Sequence, residues 1–156
     1  MAGKKSDLGP TGNHVKDNVQ RLRGDLSFAE LSRRLSDIGR EIPPLGLRRI
    51  ESGDRRVDAD DLVALAVALN VSPVSLLMPR TEDADEQVET TGVEGTVTAR
   101  KLGRWLREES PFIRDVAADV FFTALGRALP SWRLREVDIV ESGLGADVTR
   151  FVRERV

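Results

Sequence analysis

Arg48, Arg49, Arg55 and Arg56 all fall within the stretch LGLRRIESGDRRV, residues 45–57. A guanidinium carries its N–H donors in a rigid planar fork that matches a carboxylate, a phosphate or the O6/N7 edge of guanine. Such a cluster is either solvated charge at a helix end or a set of contacts to something negative. The apolar positions help to orient it. Leu47 and Ile50 are three apart and define a face directed at a core. Leu45, Arg48, Arg49 and Ser52 then point away from that core.

The charge pattern along the chain supports a local basic patch. The 156 residues carry a net charge of −2, which on average argues against a nucleic-acid partner. That average hides two opposite regions. Between Arg33 and Arg56 lie Arg33, Arg34, Arg40, Arg48, Arg49, Arg55 and Arg56, against Asp37, Glu41, Glu51 and Asp54. Residues 79–95, PRTEDADEQVETTGVEG, carry Glu82, Asp83, Asp85, Glu86, Glu89 and Glu94 against Arg80. This acidic segment holds few large apolar groups, so residues 79–96 read as a linker between two small units.

The basic patch needs a scaffold, and residues 13–78 read as five helices. Val15, Val19 and Leu22 share a face in HVKDNVQRLR, before a stop at Gly24. Ser27 stands three residues before Glu30, a capping-box spacing, and the helix it opens carries Leu31 and Leu35 up to Gly39. Pro43 and Pro44 suit the first turn of a third helix that ends near Gly53. Asp58 caps a fourth, with a stripe of Leu62, Leu65, Ala66 and Leu69. Ser72 and Pro73 open a short fifth. Residues 1–12 read as a flexible tail.

LSFAELSRRL (26–35), LRRIESGDRRV (47–57) and DLVALAVALNVSPVSLL (61–77), in that order, resemble the Xre or Cro/C1 family of helix-turn-helix DNA-binding domains. The resemblance covers residues 13–78, half the chain. It implies a five-helix domain that places its third helix in the major groove of double-stranded DNA. Pro44, Leu45, Gly46, Arg48 and Arg49 are then the base-reading positions. Lys16, Ser27, Arg33, Arg40, Arg55 and Arg56 become candidates for the DNA backbone. Glu51, out of place on a DNA-facing helix, is implied to pair with Arg23 at the end of the first helix. Three departures stand out. The first loop, RGDLS, is shorter than the family's usual pattern. The segment between Leu35 and Ile50 is longer than the family's usual tight turn. The lead-in Pro-Pro-Leu-Gly also offers no polar side chain, which leaves polar base reading to Arg48 and Arg49.

Residues 97–156 read as a second unit, small and mainly helical, which makes the chain all-α with room for one short strand near 135–141. The longest helical stretch is PFIRDVAADVFFTALGRAL, and ADVTRFVRERV reads as a terminal helix. A single reading domain buries too little DNA surface to be selective alone, so two half-sites and a homodimer are expected. Trp105, Phe112, Phe121, Phe122 and Phe151 supply apolar surface for dimerisation or for burial within the unit. The same unit also fits a second class of function, an antitoxin or adaptor whose C-terminal part binds a partner protein. No nucleophile–base pair, P-loop or metal-ligand spacing occurs, so no enzyme, catalytic residue, cofactor or metal is expected. The chain has no cysteine, and no apolar run of about 18 residues long enough to span a membrane. MAGKKSDLGPTG lacks the apolar stretch of a secretory signal. These features point to a cytoplasmic, nucleoid-associated regulator, with repression the default expectation.

Overall fold

Each of the first five helices starts where a proline or a short polar side chain provides an end. Pro10 opens α1 (Pro10–Arg23) behind Gly9. Ser27 caps α2 (Phe28–Asp37), its Oγ accepting the Glu30 N–H at 3.1 Å. The Glu30 carboxylate turns to Arg33 and Arg34, and no hydrogen bond runs from it back to Ser27. Pro43 and Pro44 open α3 (Pro44–Ser52). Asp58 caps α4 (Ala59–Ala68), accepting the Asp61 N–H at 2.7 Å, and Ser72 caps α5 (Pro73–Leu77), accepting the Val74 N–H at 3.2 Å.

Three of these helices end in the same way. Gly39, Gly53 and Asn70 adopt positive φ, and the chain reverses there through paired backbone bonds. Gly39 N–H reaches Ser36 O while Arg40 N–H reaches Leu35 O. Gly53 and Asp54 repeat that pattern on Ile50 and Arg49, as do Asn70 and Val71 on Val67 and Ala66. The left-handed turn at Gly39 leads into residues 40–43, where Ile42 drops into the core at 1% exposure. The long connection between α2 and α3 is therefore anchored by its own apolar residue.

The computed structural model describes residues 8–108, 118–135, 137–142 and 145–151, and they are mostly helical. Among them, no helix is long and apolar enough to cross a membrane. Two compact units divide at Ala99/Arg100. In the first, Val15, Val19, Leu31, Leu35, Leu47, Ile50, Leu65 and Leu76 form one buried cluster drawn from all five helices. Removing each such side chain from water contributes about 1.5–3 kcal/mol. Asn18 is a polar member of this interior. Its amide donates to Leu76 O at 3.1 Å and Met78 O at 2.6 Å, satisfying carbonyls at the end of α5.

Residues 79–96 differ from the expected linker. Within them β1 (Gln87–Val88) pairs antiparallel with β2 (Val97–Thr98), Val88 opposite Val97. Val88, Thr90 and Val97 are buried. Thr11 Oγ1 accepts the Thr91 N–H at 3.0 Å, and His14 Nε2 lies 2.9 Å from Glu89 O. These few anchors hold the segment on the first turns of α1, while Glu82, Asp83, Asp85, Glu86, Glu89 and Glu94 remain exposed to solvent. The expected tail 1–12 is likewise shortened, because Pro10 to Gly12 are already helical.

The boundary between the units falls at the start of α6 (Ala99–Leu106). Beyond it come α7 (Ala118–Ala128), α8 (Ser131–Leu134), β3 (Val137–Ser142) and β4 (Gly145–Phe151). β3 and β4 form an antiparallel hairpin with Val137 opposite Phe151, Ile139 opposite Val148 and a register shift between Asp138 and Ile139. This corrects the expected terminal helix over 146–156: residues 146–151 are strand. The apolar residues Val148, Phe151 and Val152 fit helical spacing. The β-branched Val148 and aromatic Phe151, however, suit a strand once a partner is available, and β3 is that partner. The second unit is therefore mixed.

Candidate nucleic-acid interface

α3 is held rigidly from its inner side. Leu47 and Ile50 are fully buried, and Gly53 ends the helix with φ 81°. Arg23, the last residue of α1, donates Nε to Glu51 Oε1 at 2.6 Å and Nη2 to Oε2 at 3.0 Å. Its Nη1 also reaches Leu26 O at 2.7 Å. This fork is the pairing implied by the resemblance. The Glu51 hydrogen bond is the largest cause of a raised Arg23 pKa. The pair sets the angle between α1 and α3. Its net stabilisation is modest, since a buried ion pair roughly breaks even against its desolvation.

The outer face of α3 presents Pro44, Leu45, Arg48 and Arg49, all exposed, with Leu45 at 60%. Among the described residues the Arg49 guanidinium has no hydrogen bond or ion pair. Arg48 lies over the ring of Phe28, 5.3 Å from its centroid, and Arg23 lies over the same ring at 4.2 Å. Gly46 departs from expectation. It is buried, and a Cβ there would come within 2.8 Å of Arg55 Nη1 and 3.1 Å of Ile42 Cγ2. The absent side chain makes room for Arg55 and Ile42 of the same protein.

The expected backbone contacts divide into different groups. Arg40 and Arg55 converge on Asp61, which is 1% exposed. Arg40 Nε donates to Oδ1 at 2.8 Å and Arg55 Nη2 to Oδ2 at 2.7 Å. Arg40 Nη2 also reaches the Asp58 carboxylate at 3.1 Å. Hydrogen bonding to Asp61 raises the Arg40 pKa, and the backbone N–H of Asp61, followed by Arg40, holds Asp58 below the usual carboxylate range. These two arginines close the α2–α3 connection and the α3–α4 loop onto α4, and their side chains stay 35% and 34% exposed. Arg33 lies between Glu30 at 2.7 Å and Asp37 at 2.9 Å on the exposed side of α2, so it too is already engaged by acids. Those hydrogen bonds raise its pKa and lower that of Glu30.

Lys16 sits 3.1 Å from Asp17, with its stem against Gly53. Ser27 is exposed at the start of α2, and Arg56 is exposed in the α3–α4 loop. Lys16, Ser27 and Arg56 thus remain near α3 or the start of α2, with exposed or half-buried side chains. Trp105 in α6 is 42% exposed. Phe112 lies outside the described residues, as do the side chains of Phe121, Phe122 and Phe151.

Sequence reasoning missed Asp61 and Phe28. Asp61 carried a weak signal, an acid at the third position after the Asp58 cap whose helical phase matches Leu65 and Ala68. Phe28 carried one as well, a large aromatic directly after a capping serine. No match was found when the chain was compared with family models, curated proteins and solved structures.

Proposed function

We propose that the first unit is a helix-turn-helix domain of the Xre or Cro/C1 kind, which binds double-stranded DNA with α3 in the major groove. An α-helix fits that groove, and the preceding helix crosses the backbone. The observation that carries this reading is the outer face of α3. An arginine with no protein partner among the described residues, Arg49, stands beside Arg48 and an exposed Leu45 on a helix braced by the Arg23–Glu51 fork. Arg49 supplies bidentate guanine recognition, Leu45 apolar contact with a thymine methyl, and Lys16, Ser27 and Arg56 the phosphate contacts. The protein acts as a homodimeric transcriptional repressor in the cytoplasm, with the second unit joining the two reading heads. Selection of bound sequences from a random duplex pool, followed by gel-shift with the recovered site, tests it. Arg48→Ala combined with Arg49→Ala abolishes specific retardation and leaves the fold intact. Unchanged binding in that double variant sinks the assignment of α3.

One observation favours a second reading, an antitoxin or adaptor. In the second unit Val120 and Trp132 are exposed at 53% and 56%, apolar surface that a partner protein would cover. Co-purification of a stoichiometric second chain with the protein from its native host supports this reading. Purification as a homodimer alone counts against it.

A further inference from the structure

Arg48 and Arg49 are adjacent in sequence, equally polar and both exposed, yet the structure treats them differently. Arg49 projects with no protein partner among the described residues. Arg48 leans back toward α2 and lies over Phe28, the first residue of that helix. Phe28 itself is half-buried, packed against the core, so its ring is a fixed platform. Two cations over one ring would repel each other, but Glu51 neutralises Arg23 through a bidentate fork. The charge left over Phe28 is that of Arg48.

A guanidinium drawn to a ring by cation–π attraction still has N–H donors to offer an anion. Holding it there before binding also removes rotamer freedom that DNA would otherwise have to restrict. In helix-turn-helix docking the helix before the reader crosses the DNA backbone. An α3 side chain that leans onto the first residue of α2 therefore faces that strand, not the groove floor. We propose that Phe28 is a positioning residue that presets Arg48 for a DNA phosphate, so that Arg48 supplies affinity and Arg49 supplies sequence. The proposal rests on the DNA-binding reading above, and revises one part of it by moving Arg48 from bases to backbone.

The test uses the full-length chain, a duplex carrying the selected site and a scrambled duplex of equal length. Phe28→Leu keeps apolar volume and removes the ring, whereas Phe28→Tyr keeps the ring. Phe28→Leu weakens binding about two- to fivefold on both duplexes, and Phe28→Tyr restores it. Arg48→Ala also weakens both and lowers the slope of log affinity against log salt by about 1. In an Arg48→Ala background, Phe28→Leu has no further effect. Arg49→Ala weakens the selected site and leaves the scrambled duplex nearly unchanged. A readout without DNA accompanies these. In the free protein, proton NMR shows Arg48 side-chain resonances moved upfield by the ring, a shift retained in Phe28→Tyr and lost in Phe28→Leu. Thermal melting confirms that each variant is folded at the assay temperature.

Three results overturn the proposal while leaving DNA binding intact. These are an absent ring-current shift, a Phe28→Leu loss that persists undiminished without Arg48, and an Arg48→Ala loss confined to the selected site. A wild-type protein that enriches and retards no duplex, with the ring-current shift present, overturns the DNA-binding reading and this proposal together.

Discussion

Arg49 on α3 and the pair Arg40 and Arg55 on either side of it share a chemistry and a stretch of sequence, but have opposite surroundings. Arg49 is exposed and without a partner among the described residues, whereas Arg40 and Arg55 grip a carboxylate that is 1% exposed. The first arrangement stores no protein–protein interaction and leaves a cation available to a ligand. The second makes two flanking segments depend on one buried acid. A cluster of arginines thus separates, by what faces each one, into members bound to a buried acid and members that are not, which its charge count does not reveal.

The sharpest way to break this comparison is to remove the shared acid. Asp61→Ala removes the carboxylate that Arg40 and Arg55 share; both side chains are about a third exposed and can rehydrate, and Arg40 keeps Asp58, so the loss should be about 2–3 kcal/mol. Urea unfolding measures it, and a loss below 1 kcal/mol would show that Asp61 does not organise these segments. Glu51→Ala comes next, at about 2 kcal/mol, because it frees a single arginine and Arg23 keeps its bond to Leu26 O. If the first unit binds DNA as proposed, the same variant weakens that binding by freeing the orientation of α3. Arg49→Ala sits at the opposite end for stability, with a change within about 0.5 kcal/mol. A larger shift in its unfolding midpoint would mean that Arg49 has structural work after all.

The smallest effect is one of pH. Asp58 is held below its ordinary range, chiefly by the Asp61 N–H and with Arg40 alongside. A depressed carboxylate contributes stability that is complete above its unfolded value, about 4, and disappears as pH falls through the lower folded value. Stability should therefore decline below that point. Asp58→Asn, which keeps a good helix cap and removes the charge, should flatten the decline. Arg49→Ala should leave the same acid limb unchanged. Unfolding followed by far-ultraviolet circular dichroism from pH 2 to pH 6 separates the two.

Several features were legible because they are local. Ser27, Asp58 and Ser72 cap helices within three residues of themselves, and Gly39 and Gly53 end helices through the backbone freedom that glycine has and other residues lack. The stripes Leu31–Leu35 and Leu47–Ile50 follow helical spacing, so burial followed from periodicity. Other features were not legible because they join distant positions. Asp61 gathers Arg40 and Arg55 from segments on both sides of α3. Phe28 meets Arg48 across two helices. The acidic residues 82–94 looked unable to fold by composition, yet Val88 pairs with Val97 across β1 and β2, and three threonine and histidine anchors hold the segment to α1. The terminal strand β4 was read as a helix because spacing alone cannot register a hairpin partner.

By itself, the sequence determined where α2 to α5 begin and where the first five helices end, which faces they bury, and that an arginine-rich surface follows Pro44. Those properties depend on steric and hydrogen-bonding preferences that act within a few residues. Only the tertiary structure decided which arginines are available. A guanidinium's role depends on the carboxylate or ring within about 3–6 Å of it, and chain folding, not chain order, brings that neighbour into place.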